Sequence, residues 1–180
     1  MSAPGGVPWQ PGGPVDRGEV LRLIEAEAAR LRALFGGKLV GARVYNDAAI
    51  PIANSTTTFL TFNSERFDTG GFHSESSNTG RLTAPTDGLY LIGAHIRWAT
   101  DATPSGRRQI VLMVNGVDAI ALEEPAIAVN VAIPMFQGIT SLYELAAGDY
   151  VEVRVFQSSG ASLNVDATPP ASPEFWILRV

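Results

Sequence analysis

A chain of 180 residues, 46% of them apolar and carrying a formal charge of −5, is long enough for one well-cored domain plus an appendage. The mild acidity and the absence of any basic block count against general nucleic-acid binding, which needs a cationic surface to displace counterions from phosphate, and against anchoring to anionic lipid. There is no cysteine, which removes disulfides, thiolate metal sites and cysteine nucleophiles. No apolar run approaches the roughly 20 residues of a membrane-spanning helix. The opening MSAPGGVPWQPGGP lacks the basic start and apolar core of a secretion signal, so work outside a cell implies another route of export.

Residues 1–15 are rich in Pro and Gly, a composition that forms neither a helix nor a central strand. Composition alone describes a loose leader. Trp9, set between Pro8 and Pro11, adds the alternative of an extended arm docked on a partner, with the indole as its anchor.

A helix is expected over 16–35, ended by Gly36-Gly37. Asp16 can cap its N-terminus, and Glu19 completes a capping-box pattern. Leu21, Ile24, Ala28, Leu31 and Phe35 are spaced 3, 4, 3, 4, an a/d seam of about two heptads. So short a seam does not hold a coiled coil by itself. It fits either a helix packed on its own domain or a short parallel bundle around an oligomer axis, over residues 16–37.

Residues 38–180 read as all β. Strands are expected at 39–45, 57–62, 89–98, 109–114, 117–122, 139–145, 150–157 and 174–180. In the long segment GLYLIGAHIRW, Tyr90, Ile92, Ala94, Ile96 and Trp98 share one face while Leu91, Gly93, His95 and Arg97 share the other. In YVEVRVFQ, Val151, Val153 and Val155 form an aliphatic face. Asn115-Gly116 signals a type I′ hairpin. The closing EFWILRV is apolar enough that it must be buried on both faces or lie at an interface, because at an open edge it invites aggregation. Strands punctuated by turns, with no helical period after Phe35, predict a sandwich or jelly roll of about 8–10 strands.

Three internal stretches and the final strand carry a family resemblance. RLTAPTDGLYLIGAHIRW resembles the "P-x-x-G-x-Y" turn and strand of C1q/TNF-like domains, through Pro85, Gly88 and Tyr90. FNSERFD resembles that family's "F-x-x-x-x-F-D" segment, through Phe62, Phe67 and Asp68. LAAGDYV resembles its "L-x-x-G-D-x-V" segment, through Leu145, Gly148, Asp149 and Val151. The final strand, with Phe175 and Trp176, resembles the family's hydrophobic last strand. The likeness covers roughly 39–180 and implies a homotrimeric jelly roll with aromatic residues near a three-fold axis. It lacks the collagen-like tract and the cysteines of complement-type secreted animal proteins.

The leader, the single helix and the stretch ARVYNDAAIPIANSTTTFLTFNSERFDTGGFH further resemble bacteriophage virion proteins of the tail-fibre, minor-tail or capsid-decoration kind. That resemblance implies attachment to other capsid or tail proteins through the N-terminal segment. The β domain would then project at the particle surface, towards a host glycan or protein or as a capsid stud. Neither nucleic acid nor membrane is an expected partner.

Candidate chemistry is sparse. His73 lies in a Gly/Ser-rich loop and His95 on a strand, neither in a zinc spacing, so both are expected to be structural. No G-x-S-x-G elbow, P-loop or dinucleotide fingerprint occurs. Asp68, Glu75, Asp87, Asp101, Glu123, Glu124 and Asp166 are expected in loops as solvated charge. A glycosidase would need two such carboxylates across a cleft, and calcium would need several converging. Asn54-Ser55-Thr56 matches a glycosylation sequon and reads as a polar loop. Trp98, Trp176, Tyr143, Tyr150 and Phe156 are expected in the core or at a subunit interface. The reading is a non-enzymatic module without metal or cofactor. The alternatives are a carbohydrate-active β-sandwich enzyme and a bacterial C1q-like lectin.

Overall fold

The computed structural model describes residues 21–22, 24–27, 39–101, 105–127, 133–169 and 171–180. The chain divides into two units, Met1–Lys38 and Leu39–Val180. In the first, 21–22 and 24–27 are helical, as the heptad spacing predicts, and Leu21 and Ile24 are each 58% exposed. Ala28, Leu31 and Phe35 of the seam, and Pro8, Trp9 and Pro11 of the arm, lie outside the described residues.

The second unit contains twelve strands among the described residues: β1 (Gly41–Tyr45), β2 (Ile50–Ile52), β3 (Thr56–Phe59), β4 (Ser64–Asp68), β5 (Arg81–Thr83), β6 (Gly88–Trp98), β7 (Arg108–Val114), β8 (Asp118–Glu123), β9 (Met135–Leu145), β10 (Tyr150–Gln157), β11 (Leu163–Val165) and β12 (Glu174–Arg179). Eight match the expected strands. The four extra ones, β2, β4, β5 and β11, are short and were not expected. A strand of three to five residues offers too few alternations to stand out from a loop.

All pairings are antiparallel. In one sheet the hydrogen-bonded order is β9-β6-β12-β1-β4, with β11 and β2 continuing past the end of β6 at the Val165–Trp98 pair. In the other, β10 is bordered by β7 and then β8 on one side, and by β3 and β5 in succession on the other. The first will be called the long sheet and the second the short sheet.

The alternation read from the sequence decides which side chains lie between them. Tyr90, Ile92, Ala94, Ile96 and Trp98 of β6 are buried, as are Val151, Val153 and Val155 of β10. They join Phe175 and Ile177 of β12 and Ile110, Leu112 and Val114 of β7 in one core. Phe62 packs against Phe175 with ring centroids 5.4 Å apart, and Phe72 meets Tyr90 edge-on at 6.1 Å. The Asn115-Gly116 turn has φ values of 51° and 70°, and the Val117 amide donates to the Val114 carbonyl at 3.0 Å, as a type I′ turn requires.

Strand β9 begins four residues before the expected Ile139. Gln137 points inward there and breaks the apolar alternation. Its amide oxygen accepts from the Trp98 indole, and its nitrogen donates to the carbonyls of Arg108 and Glu123. A buried amide is tolerated when its groups are paired in this way.

Candidate functional site: the outer face of the long sheet

The residues opposite the core on β6, β12, β1 and β9 form the outer face of the long sheet. The antiparallel register sets Trp176 beside Gly93 and Arg43, Leu178 beside Leu91 and Gly41, and Leu91 beside Leu142. A Cβ added to Gly93 would lie 2.3 Å from the Trp176 ring. The missing side chain is what lets the indole lie flat across the sheet, and the imidazole of His95 packs against it with ring centroids 5.3 Å apart. Around Trp176 an open groove of about 350 Å³ is lined by Leu39, Arg43, Phe67, His95 and Leu178. On β9, an edge strand of this sheet among the described residues, Phe136 and Leu142 are 60% and 55% exposed.

One end of this face is polar. Glu174 shares the side of β12 that carries Trp176 and Leu178, yet it is only 1% exposed. Its carboxylate accepts from Arg43 of β1, and from both Nε (3.1 Å) and an Nη (2.9 Å) of Arg66 of β4. The Arg66 guanidinium also stacks on the Tyr45 ring at 3.9 Å. Three strands distant in sequence supply this cluster. The sequence held no sign of it, since a Glu at a strand start reads as solvated charge.

The resemblance motifs converge elsewhere, at one end of the sandwich. The Pro85 turn and the Gly148 turn clasp each other: the Ala84 amide donates to the Asp149 carbonyl (2.8 Å), the Gly148 amide to the Ala84 carbonyl (2.9 Å) and the Ala147 amide to the Asp87 carboxylate (2.7 Å). Gly148 has a φ of 92°, which favours glycine. Tyr90 is buried and its hydroxyl donates to the Thr86 carbonyl at 2.7 Å. The Asp149 carboxylate accepts from the Asn115 amide and the Ala146 backbone N–H, both at 2.9 Å. Tyr90, Gly148 and Asp149 are thus parts of one structural clasp whose first turn holds Pro85, while Gly88 pairs with Leu145 and Val151 is core.

The segment holding Phe62, Phe67 and Asp68 splits its duties. Phe62 is core and Phe67 lines the groove. Asp68 organises the following loop by accepting from the amides of Gly70, Gly71 and His73.

The fold is that of C1q/TNF-like jelly rolls. Among solved structures, the chain resembles Eiger TNF from S. frugiperda at 12% identity, over 79% of this chain and 92% of the other, with a TM-score of 0.52. It resembles murine APRIL at 11% identity, over 79% of this chain and all of the other, with a TM-score of 0.57. At these identities the likeness is one of fold. No family model and no curated protein matches the sequence.

Within this jelly roll the other singled-out residues separate clearly. Trp98 is core and Trp176 is on the outer face. Tyr150 and Phe156 are not in the core. They stand on the outer face of the short sheet, covered by the guanidinium groups of Arg81 (3.9 Å) and Arg107 (5.2 Å). Their core-facing neighbours on β10 are the valines, so strand parity forces the aromatics outward. Tyr143 is 37% exposed on the edge strand β9.

The His73 side chain is 0% exposed, with Nδ1 2.9 Å from a Glu65 oxygen and Nε2 3.2 Å from the Thr79 carbonyl. Asp101 pairs with buried Arg108, Asp166 with Arg97, and Glu124 with Gln109 and Arg107. Burial holds the Arg108 guanidinium below its usual range, against the opposing pull of Asp101.

The clasp has a pH signature. The Asn115 hydrogen bond, then that of Ala146, holds the Asp149 carboxyl below its usual range. A carboxylate depressed in the folded state contributes stability above its unfolded value, near pH 4, and loses it as pH falls through the folded value. The melting temperature of an Asp149→Ala variant is expected to lie below that of the parent at pH 7, with the gap narrowing as the pH falls below the unfolded value and through the folded one. Thermal melts at a series of pH values check this; a gap that stays constant down to pH 2 contradicts it.

Proposed function

We propose that the chain is a non-enzymatic structural module that works as a homotrimer, with the outer face of the long sheet as its subunit interface. The observation that carries this is the apolar surface around Trp176, Leu178, Phe67 and Leu91, which no described residue covers, together with the exposed Phe136 and Leu142 on the edge strand β9. A head-to-tail contact of strand β9 on the apolar face of a second copy closes into a ring when the rotation is three-fold. The jelly-roll fold supports this reading.

The finer role is that of a bacteriophage virion protein, held to the capsid or tail by the arm at residues 1–15 and presenting the β domain at the particle surface. Its support is the sequence resemblance of the leader, helix and first strands. Host-surface binding and capsid decoration both fit these parts. The non-enzymatic reading is supported by the carboxylates Asp68, Asp87, Asp101, Glu124 and Asp166, each engaged in a hydrogen bond within the β domain.

Sedimentation of the full chain tests the assembly and is expected to report three protomers; a monodisperse monomer overturns it. For attachment, Trp9→Ala or deletion of 1–15 is expected to release the protein from particles while the trimer keeps its melting temperature. Full occupancy by the truncated chain refutes attachment through the arm.

A further inference from the structure

The short sheet carries a feature that the trimer reading does not use. On one side of β10 the neighbouring strand changes midway. Phe59 of β3 pairs with Arg154, whereas Arg81 of β5 pairs with Glu152. Between them the chain leaves the sheet: the Leu60 amide still donates to Val153 (2.9 Å), but the Phe62 amide donates to Thr79 (3.0 Å). The result is a notch whose floor is Gly80, where an added Cβ would come within 2.6 Å of the Leu60 carbonyl oxygen. Two clefts open from it, of about 280 Å³ and about 400 Å³, and Arg81 and Asn78 line both. Phe59 and Glu152 border the smaller cleft, and Tyr150 and Ser77 the larger.

The notch is preformed. The Arg81 guanidinium lies 3.9 Å from the centroid of the Tyr150 ring, and its Nε donates to a Glu152 oxygen at 3.0 Å. Its backbone amide donates to Asn78, which holds a left-handed φ of 51°. The loop forming the far wall is pinned at both ends, by the three amides on Asp68 and by the buried His73 ring between Glu65 and Thr79. A rigid concavity lined by a few oriented polar groups is the usual form of a small-molecule site.

Its chemistry is selective. Arg81 and Glu152 cancel in charge, yet together they present N–H donors and a carboxylate acceptor side by side. The aromatic side chain of Phe59, 41% exposed on a strand, flanks them, while the Tyr150 ring backs the Arg81 guanidinium. Vicinal hydroxyls meet such a donor–acceptor pair, and the negative face of an aromatic ring attracts the polarised C–H groups of a sugar. Arg154, the nearest further cation along β10, lines neither cleft. The geometry points to a binding site for a neutral oligosaccharide of at least two sugar units, one in each cleft, straddling Arg81. The site lies on the opposite sheet from the proposed subunit interface and does not depend on the trimer.

The test is saturation-transfer NMR on the full chain with lactose, cellobiose and chitobiose, and with sialic acid and glucuronate as acidic comparators. At least one neutral disaccharide is expected to bind with a dissociation constant of about 1 mM, more tightly than either acidic sugar. Phe59→Ala and Arg81→Gln are each expected to weaken it at least tenfold. Phe59 is a surface residue, so its variant keeps the fold, which an unchanged melting temperature verifies. No binding of any neutral disaccharide, tighter binding of an acidic sugar, or full binding by either folded variant overturns the assignment.

Discussion

A full-length chain carrying Trp176→Glu is expected to sediment as a folded monomer. Trp176 sits at the centre of the apolar outer face, over Gly93 and beside His95, Leu178 and Phe67. Among the described residues nothing covers this face, so a carboxylate there is solvated and the core residues behind it, Phe175 and Ile177, are untouched. In the trimer the same carboxylate would be enclosed in every interface beside an Arg43 already engaged by Glu174, at several kcal/mol each. The association constant should fall at least a thousandfold, or about 4 kcal/mol, while the melting temperature of the monomer, measured at low concentration, changes little. Gly93→Ala tests the same geometry without charge, because the added methyl lifts the indole off the sheet; it is expected to weaken the trimer less. A Trp176→Glu chain that remains trimeric places the interface elsewhere.

The second large effect is expected from Glu174→Ala. This carboxylate is buried and holds two guanidinium groups, on β1 and β4. Removing one member of a buried ion cluster leaves the remaining charges without compensation, typically at 3–5 kcal/mol. The side chains of Arg43 and Arg66 are 38% and 32% exposed and can turn partly to water, so the lower end of that range, about 3 kcal/mol, is expected. For a domain of this size that lowers the melting temperature by roughly 6–12 °C. Glu174→Gln should cost less, because an amide oxygen still accepts one hydrogen bond. In a double-mutant cycle with Arg66→Ala, loss of both partners should cost less than the sum of the single losses. Simple additivity would mean that the cluster contributes nothing as a unit.

The sequence alone determined the fold class, because two of its long strands state their own faces. Alternation in Gly88–Trp98 and Tyr150–Gln157 is long enough to fix which residues enter the core, and a one-residue slip would expose every valine of β10. Asn115-Gly116 fixed its hairpin by local backbone preference. The resemblance motifs around Pro85 and Gly148 were legible one by one, each as a turn. That they clasp each other follows only from the crossing of the sheets.

Tertiary structure alone decided the rest. Strands β2, β4, β5 and β11 exist because strands distant in sequence lie alongside and offer them hydrogen bonds, not because their residues prefer it. Glu174 became a buried charge because β12 lies beside β1, with β4 bringing a second arginine within reach. Trp176 was visible as an apolar residue on the last strand, but its flat seat needs Gly93 opposite it, 83 positions earlier in the chain. The notch at Arg81 exists because β3 and β5 both claim one side of β10. Local sequence encodes periodicity and turn chemistry, whereas a site built across strands depends on which strands become neighbours, and that is settled by packing of the whole core.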